Sequence, residues 1–146
     1  MKLKVSAIKK GTVIDHIPSK EVFKVAEMLE LEEHSELISV ATNLDSAKKG
    51  NKAIIKIEDK FLTNDEVDKI ALFAPKATVN IIKDYKVAQK NVVALPKIFV
   101  DVLECSNPNC ITNHEAVITK FSVLKKKPVV LKCHYCERHI TNFLLK

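Results

Sequence analysis

Glycine is nearly missing from this chain, with two in 146 residues where average usage would place about ten. That scarcity excludes a glycine-rich phosphate loop, so a bound phosphate would have to be held by side-chain charge. Arginine is almost as rare: of 24 basic residues only Arg138 is not lysine. Lysine is a mobile point charge without the planar fork that reads guanine edges. Tryptophan is absent and aromatics are 5% of the chain, which leaves few rings on which bases could stack. No run approaches the roughly 20 apolar residues of a membrane span, and the opening MKLKVSAIKKG lacks a leader core. The expectation is a soluble, cytoplasmic protein without a membrane partner. No HExxH, GxSxG or Walker loop occurs, and no acid, base and nucleophile converge, so no enzyme is expected.

What the chain does have is 47% apolar residues, 29% charged residues and a net charge of +6. These are the proportions of a folded domain, or of two small ones. Apolar residues bracketing Gly11 (Val5, Ala7, Val13, Ile14, Ile17) read as one or two strands. After Pro18-Ser19, the residues Val22, Val25, Ala26 and Leu29 fall on one helical face, with Glu27, Glu30 and Glu32 left to solvent. Strands are predicted over 36–41 and 53–57, with a polar turn over 45–51 between them. Thr63 and Glu66 have capping-box spacing ahead of the stripe Val67, Ile70, Ala71 and Ala74, which stops at Pro75. Strands over 77–82 and 85–87, broken at Lys83-Asp84, complete a β-α-β-β-α-β order. The pattern predicts an α+β, ferredoxin-like domain over 1–95, an antiparallel sheet with two helices on one face. Residues 91–97 read as a connector to a second domain over 96–146, and the two segments carry net charges of +2 and +4.

All four cysteines lie in that second segment, as C-x4-C-x22-C-x2-C. Two knuckles separated by a hairpin-sized insert are what a tetrahedral zinc ion requires of Cys105, Cys110, Cys133 and Cys136. Strands over 116–124 and 129–132, joined at Lys125-Lys126-Lys127-Pro128, would make an all-β zinc ribbon. Two disulfides are the competing reading, weakened by the missing leader, and a redox C-x-x-C lacks a surrounding βαβ unit. Four thiolates leave no open coordination position, so the Zn2+ would be structural. His114, His134 and His139 read as surface or outer-layer residues.

Asp15-His16 is a nominal acid–base pair, but neighbours in a strand point to opposite faces. Lys56, Lys83 and Lys90 flank apolar strand residues. Each alone is a solvated charge, while a group of them on one sheet could hold a phosphorylated ligand. The Lys125–Lys127 run and the +4 segment support a second reading, a zinc-ribbon nucleic-acid-binding protein. The near absence of arginine and aromatics weighs against it, and a solvated hairpin turn accounts for the run.

Three stretches together carry a resemblance: VSAIKKGTVIDHIP, IIKIEDKFLTNDEVDKIALFAPKATVNIIKDYKV, and the spaced cysteines followed by Glu137. Across essentially its whole length the chain resembles the regulatory chain of aspartate carbamoyltransferase. The resemblance implies a non-catalytic subunit of pyrimidine biosynthesis, with an allosteric nucleotide-binding domain and a zinc domain that docks on catalytic trimers. It further implies regulatory dimers, inhibition by CTP with UTP, activation by ATP, and no nucleic-acid partner. By position it places the effector site on Asp15, His16, Lys52, Lys56, Asn80, Ile82, Tyr85, Val87 and Lys90. Ile8, Val13 and Ile54 would surround the base, and Tyr85, Val87 and Lys90 would lie in the last strand. Asn107, Asn109 and Glu137 match positions that touch the catalytic chain. The tail before Val5 is short, so no second, metal-assisted nucleotide site is carried over. Thr112 to Glu115 depart from the family pattern, so His114 is given no role.

Overall fold

The computed structural model describes residues 7–45 and 51–146. The chain folds as two compact units, Met1–Ala94 and Leu95–Lys146. In the first, β1 (Gly11–Pro18), α1 (Val22–Met28), β2 (Ile38–Asp45), β3 (Asn51–Glu58), α2 (Asn64–Phe73), β4 (Thr78–Lys83) and β5 (Lys86–Val92) follow in order. The five strands form one sheet in the order β2-β3-β1-β4-β5, with every neighbouring pair antiparallel. The first four strands and two helices reproduce the ferredoxin-like arrangement, and β5 extends it by a hairpin.

Alternation assigns the two sheet faces. Thr12 and Ile14 of β1, Ala53, Ile55 and Ile57 of β3, and Val79 of β4 are buried, together with Val22 and Val25 of α1 and Ile70 of α2. The β-branched residues of β1 and β3 suit a pleated, covered surface, and each fully buried isoleucine contributes about 1.5–3 kcal/mol. The helical stripes read from the sequence supply the cover. The capping box is formed, with the Glu66 N–H donating to Thr63 Oγ1 at 3.2 Å and the Thr63 N–H to Glu66 Oε1 at 3.0 Å. The chain then leaves α2 at Ala74, ahead of Pro75.

Several boundaries differ from the sequence reading, each for a local reason. β2 starts at Ile38 and runs on to Asp45, because a bulge after Ala41, with Asn43 at φ 60°, carries the ladder past the predicted end. Asp45 and Asn51, read as turn residues, pair with each other, while residues 46–50 and Val5 lie outside the described residues. Tyr85 belongs to a turn instead of the last strand. Asp84 and Tyr85 take φ of 50° and 65°, the signature of a two-residue hairpin turn whose twist matches its strands. Asn91 and Val92, read as connector, close β5, and the Val93 N–H donates to Ala77 O.

The second unit is all β apart from one 3-10 turn. β6 (Ile98–Val100), β8 (Lys120–Lys126), β9 (Val129–Cys133) and β10 (His139–Ile140) form a sheet in the order β10-β9-β8-β6. β7 (Leu103–Glu104) pairs with β11 (Leu144–Leu145). Residues 116–119, predicted as strand, are not part of the ladder. There the Thr119 hydroxyl donates to Leu103 O at 2.6 Å and its carbonyl accepts from the Asp101 N–H at 2.9 Å, drawing the segment toward β7.

One glycine is required by backbone geometry. Gly11 sits at φ 140°, and a Cβ there would lie 2.1 Å from the Ile57 carbonyl oxygen. Gly11→Ala should destabilise the first unit by more than about 2 kcal/mol, a drop of roughly 10 °C in its melting temperature. A melting curve unchanged by the substitution would contradict that close approach.

Candidate functional sites

Two groups of side chains have the makings of a site. In the second unit the knuckles Cys105–Cys110 and Cys133–Cys136 meet, with all four sulfurs within 4.8 Å of one another. The Cys105–Cys136 and Cys110–Cys133 sulfurs are 3.7 and 3.8 Å apart. A tetrahedron of metal–sulfur bonds of about 2.3 Å has edges of about 3.8 Å, so the donor set fits a four-coordinate, thiolate-binding cation. Disulfides would need sulfurs about 2.05 Å apart, and none is formed. His114, His134 and His139 are exposed and take no part in the cluster.

The knuckle backbones are turned toward the sulfurs. Burial pushes the Cys105 thiol up to about 12, with the neighbouring thiols adding to the shift and the Asn107 N–H opposing it. Burial also raises Cys133, although the Cys136 and Tyr135 N–H groups point at its sulfur. Burial would raise Cys136 as well, but the Arg138 N–H, the Asn107 side chain and its partner thiols bring it down to about 7. Asn107 is only 8% exposed. Its side-chain oxygen accepts from the Asn109 N–H at 3.1 Å, so it is turned into the knuckle, while Asn109 and Glu137 are exposed.

The second group lies on the face of the five-stranded sheet opposite the helices. Strand register aligns Ser39 (β2), Lys56 (β3), Val13 (β1), Asn80 (β4) and Lys90 (β5) in one transverse row. With strands about 4.8 Å apart, the two lysines of that row are rooted about 14 Å from each other. Ile54 lies on the same face of β3, and Ile82 sits opposite Gly11 on one side and Val87 on the other. Toward the far end of β1, Asp15 pairs with Lys52 at 3.1 Å and aligns with Thr78. Asn80 is 9% exposed and its amide donates to Val13 O at 3.4 Å.

Strict alternation does not hold for Asp15-His16. A bulge between Ile14 and Ile17, with His16 at φ 60°, brings the two side chains to one side. His16 Nδ1 is 3.9 Å from the Asp15 carboxylate and 3.3 Å from Thr78 Oγ1. Ile8 is buried, and the turn residue Tyr85 donates its N–H to Lys9 O at 2.9 Å, so both lie where the N-terminal segment meets the β4–β5 turn. Thr78 and Ser39 escaped the sequence reading, although two-residue spacing from Asn80 was a usable signal for Thr78. No helix among the described residues is long and apolar enough to cross a membrane.

Comparison with known proteins assigns the chain. A family model described as the aspartate carbamoyltransferase regulatory chain, allosteric domain, matches residues 3–94. A second, described as the metal binding domain of the same chain, matches residues 97–144. The chain belongs to the aspartate carbamoyltransferase regulatory chain family. A regulatory chain from Thermococcus sibiricus is 58% identical over 136 residues, covering 93% of this chain and 90% of that one. One from Pyrococcus abyssi is 54% identical over 138 residues, covering 93% and 91%. One from Parabacteroides distasonis is 46% identical over 138 residues, covering 94% and 90%. The protein is thus a non-catalytic, regulatory subunit of a pyrimidine-pathway enzyme, with an allosteric and a metal-binding domain, and its partner is a catalytic subunit.

The thiol environments dictate how metal binding responds to acid. A raised thiol pKa favours the proton-bound, metal-free form, so Cys105 and Cys133 hold protons at neutral pH that a cation must displace. Apparent metal affinity should fall about tenfold per displaced proton for each unit of acidification. Competition with a coloured chelator between about pH 8 and pH 6 measures it, and a slope shallower than about two decades per unit would contradict protons held on both thiols.

Proposed function

We propose that the chain senses nucleoside triphosphates on the open face of its first unit and passes the signal, through its metal-binding unit, to catalytic trimers. CTP and UTP act as inhibitors and ATP as activator. The chain works as a regulatory dimer in the cytoplasm, and each copy carries one structural Zn2+ on Cys105, Cys110, Cys133 and Cys136. The observation that carries the nucleotide reading is the transverse row with Lys56 and Lys90 on one face, beside the Asp15–Lys52 pair. A side-chain lattice of this kind suits a polyphosphate in a chain without a glycine loop. Val13, Ile54 and Ile82 offer apolar contact for a base, with Asn80 beside them, Asp15 and His16 toward one end of the face and Tyr85 and Val87 toward the other. Zinc is favoured by four thiolates at tetrahedral spacing and would supply a cross-link in place of core. Asn109 and Glu137, exposed beside the knuckles, and Asn107 beneath them fit a docking surface for the catalytic chain.

Nucleotide control requires different affinity for two global states, typically worth 1–3 kcal/mol of coupling. Lys56→Ala and Lys90→Ala should each weaken CTP binding about tenfold or more by calorimetry, the usual worth of a hydrogen bond to a charged group. Zinc content and assembly with the catalytic chain should stay unchanged. CTP affinity equal to that of the unaltered chain in both variants would remove this face as the site. Aspartate saturation curves of the assembled enzyme, identical with and without CTP, would leave a binding subunit that does not regulate.

Metal removal separates the two units. With little core of its own, the second unit should lose native circular dichroism and protease resistance on chelation or in Cys105→Ser, while the first keeps its melting transition. Full retention of structure in both units without metal would refute that dependence.

A further inference from the structure

The two knuckles differ in length. Cys133 and Cys136 are separated by two residues, and backbone N–H groups of Tyr135, Cys136 and Arg138 hold their sulfurs. Cys105 and Cys110 are separated by four, a longer loop with more freedom to lose when it wraps a cation. That freedom is taken up by residues just beyond it, in the 3-10 turn Ile111–Asn113. The Asn113 side-chain amide donates one hydrogen bond to Cys105 O at 3.0 Å and another to Asn107 O at 2.7 Å. The Asn107 carbonyl also accepts from the Cys110 N–H at 3.0 Å, so the amide pins the start of the loop to its end. One residue earlier, the Thr112 hydroxyl donates to Cys110 Sγ at 3.2 Å.

The geometry points to Asn113 as a positioning residue that preorganises the longer knuckle, and to Thr112 as the residue that tunes the Cys110 sulfur. The inference rests on the cysteine cluster being a metal site. The two roles differ physically. Asn113 acts on loop geometry, and both its amide hydrogens are committed to backbone carbonyls. Thr112 acts on the electron density of one sulfur, since a hydroxyl donating to a thiolate stabilises its lone pairs. Neither role is among those that the resemblance carries over.

The test uses the full chain loaded with cobalt(II), whose thiolate charge-transfer band reports on the sulfurs directly. Asn113→Asp keeps the volume but replaces the NH2 group that makes both hydrogen bonds with a carboxylate oxygen facing two carbonyl oxygens. It should surrender cobalt to a competing chelator about 10–100-fold more readily than the unaltered chain, the usual cost of losing an outer-layer partner. Asn113→Gln, which keeps the amide, should recover part of that loss. Thr112→Val should retain the tetrahedral spectrum yet move the charge-transfer band to longer wavelength, a change that a purely structural role would not produce. Retention equal to the unaltered chain in Asn113→Asp would overturn the positioning role. An unmoved band in Thr112→Val would overturn the tuning role. No cobalt uptake by the unaltered chain would instead overturn the metal reading on which both stand.

Discussion

Burial of one face of the sheet under two helices is the constraint from which the first unit follows. Two short helices cover the face formed by Thr12, Ile14, Ile55, Ile57 and Val79. Because side chains alternate with a period of two, burying that set forces Val13, Lys56, Asn80 and Lys90 onto the opposite face. The cationic row is therefore a geometric consequence of where the isoleucines go. A slip of one residue in β3 would bury Lys56 against the helices and dismantle core and row together. Gly11 guards that register, since only a residue without a Cβ fits against the Ile57 carbonyl.

The second unit solves a different problem. Its fully buried large side chains are few, with Phe99, Phe121, Leu103 and Leu131 prominent, and small domains with so little apolar burial need another source of stability. Four cysteines within 4.8 Å supply it. The buried Cys105 and Cys133 sulfurs resist ionisation by themselves, so a cation and the surrounding N–H donors together compensate the charge. A site closed by four thiolates leaves no position for a reacting water, which agrees with membership of a regulatory rather than a catalytic family.

Much of this was legible beforehand because it rests on local rules. The capping box at Thr63 and Glu66, the stripe through Ile70 and the strand Ala53 to Ile57 each follow from spacing within a few residues. So did the cysteine cluster, whose spacing encodes a metal site without any knowledge of the fold. The misreadings fall where a non-local contact overrides spacing. Bulges after Ala41 and Ile14 extended β2 and turned His16 beside Asp15. Tyr85 adopts a positive φ because the hairpin twist demands it, and residues 116–119 are diverted by hydrogen bonds to Leu103 and Asp101. None of these has a signature within a short window of sequence.

The sequence by itself determined the element order of the first unit, the cysteine cluster, the lack of a glycine loop and the family. Those depend on residue type and short-range periodicity, which one chain displays directly. Tertiary structure alone decided that Lys56, Val13, Asn80 and Lys90 line up in one row, that Lys52 is committed to Asp15, and that Asn113 reaches back across the first knuckle. Residues 13 and 90 are brought together by strand register, a property of hydrogen-bonded pairs and not of either strand alone.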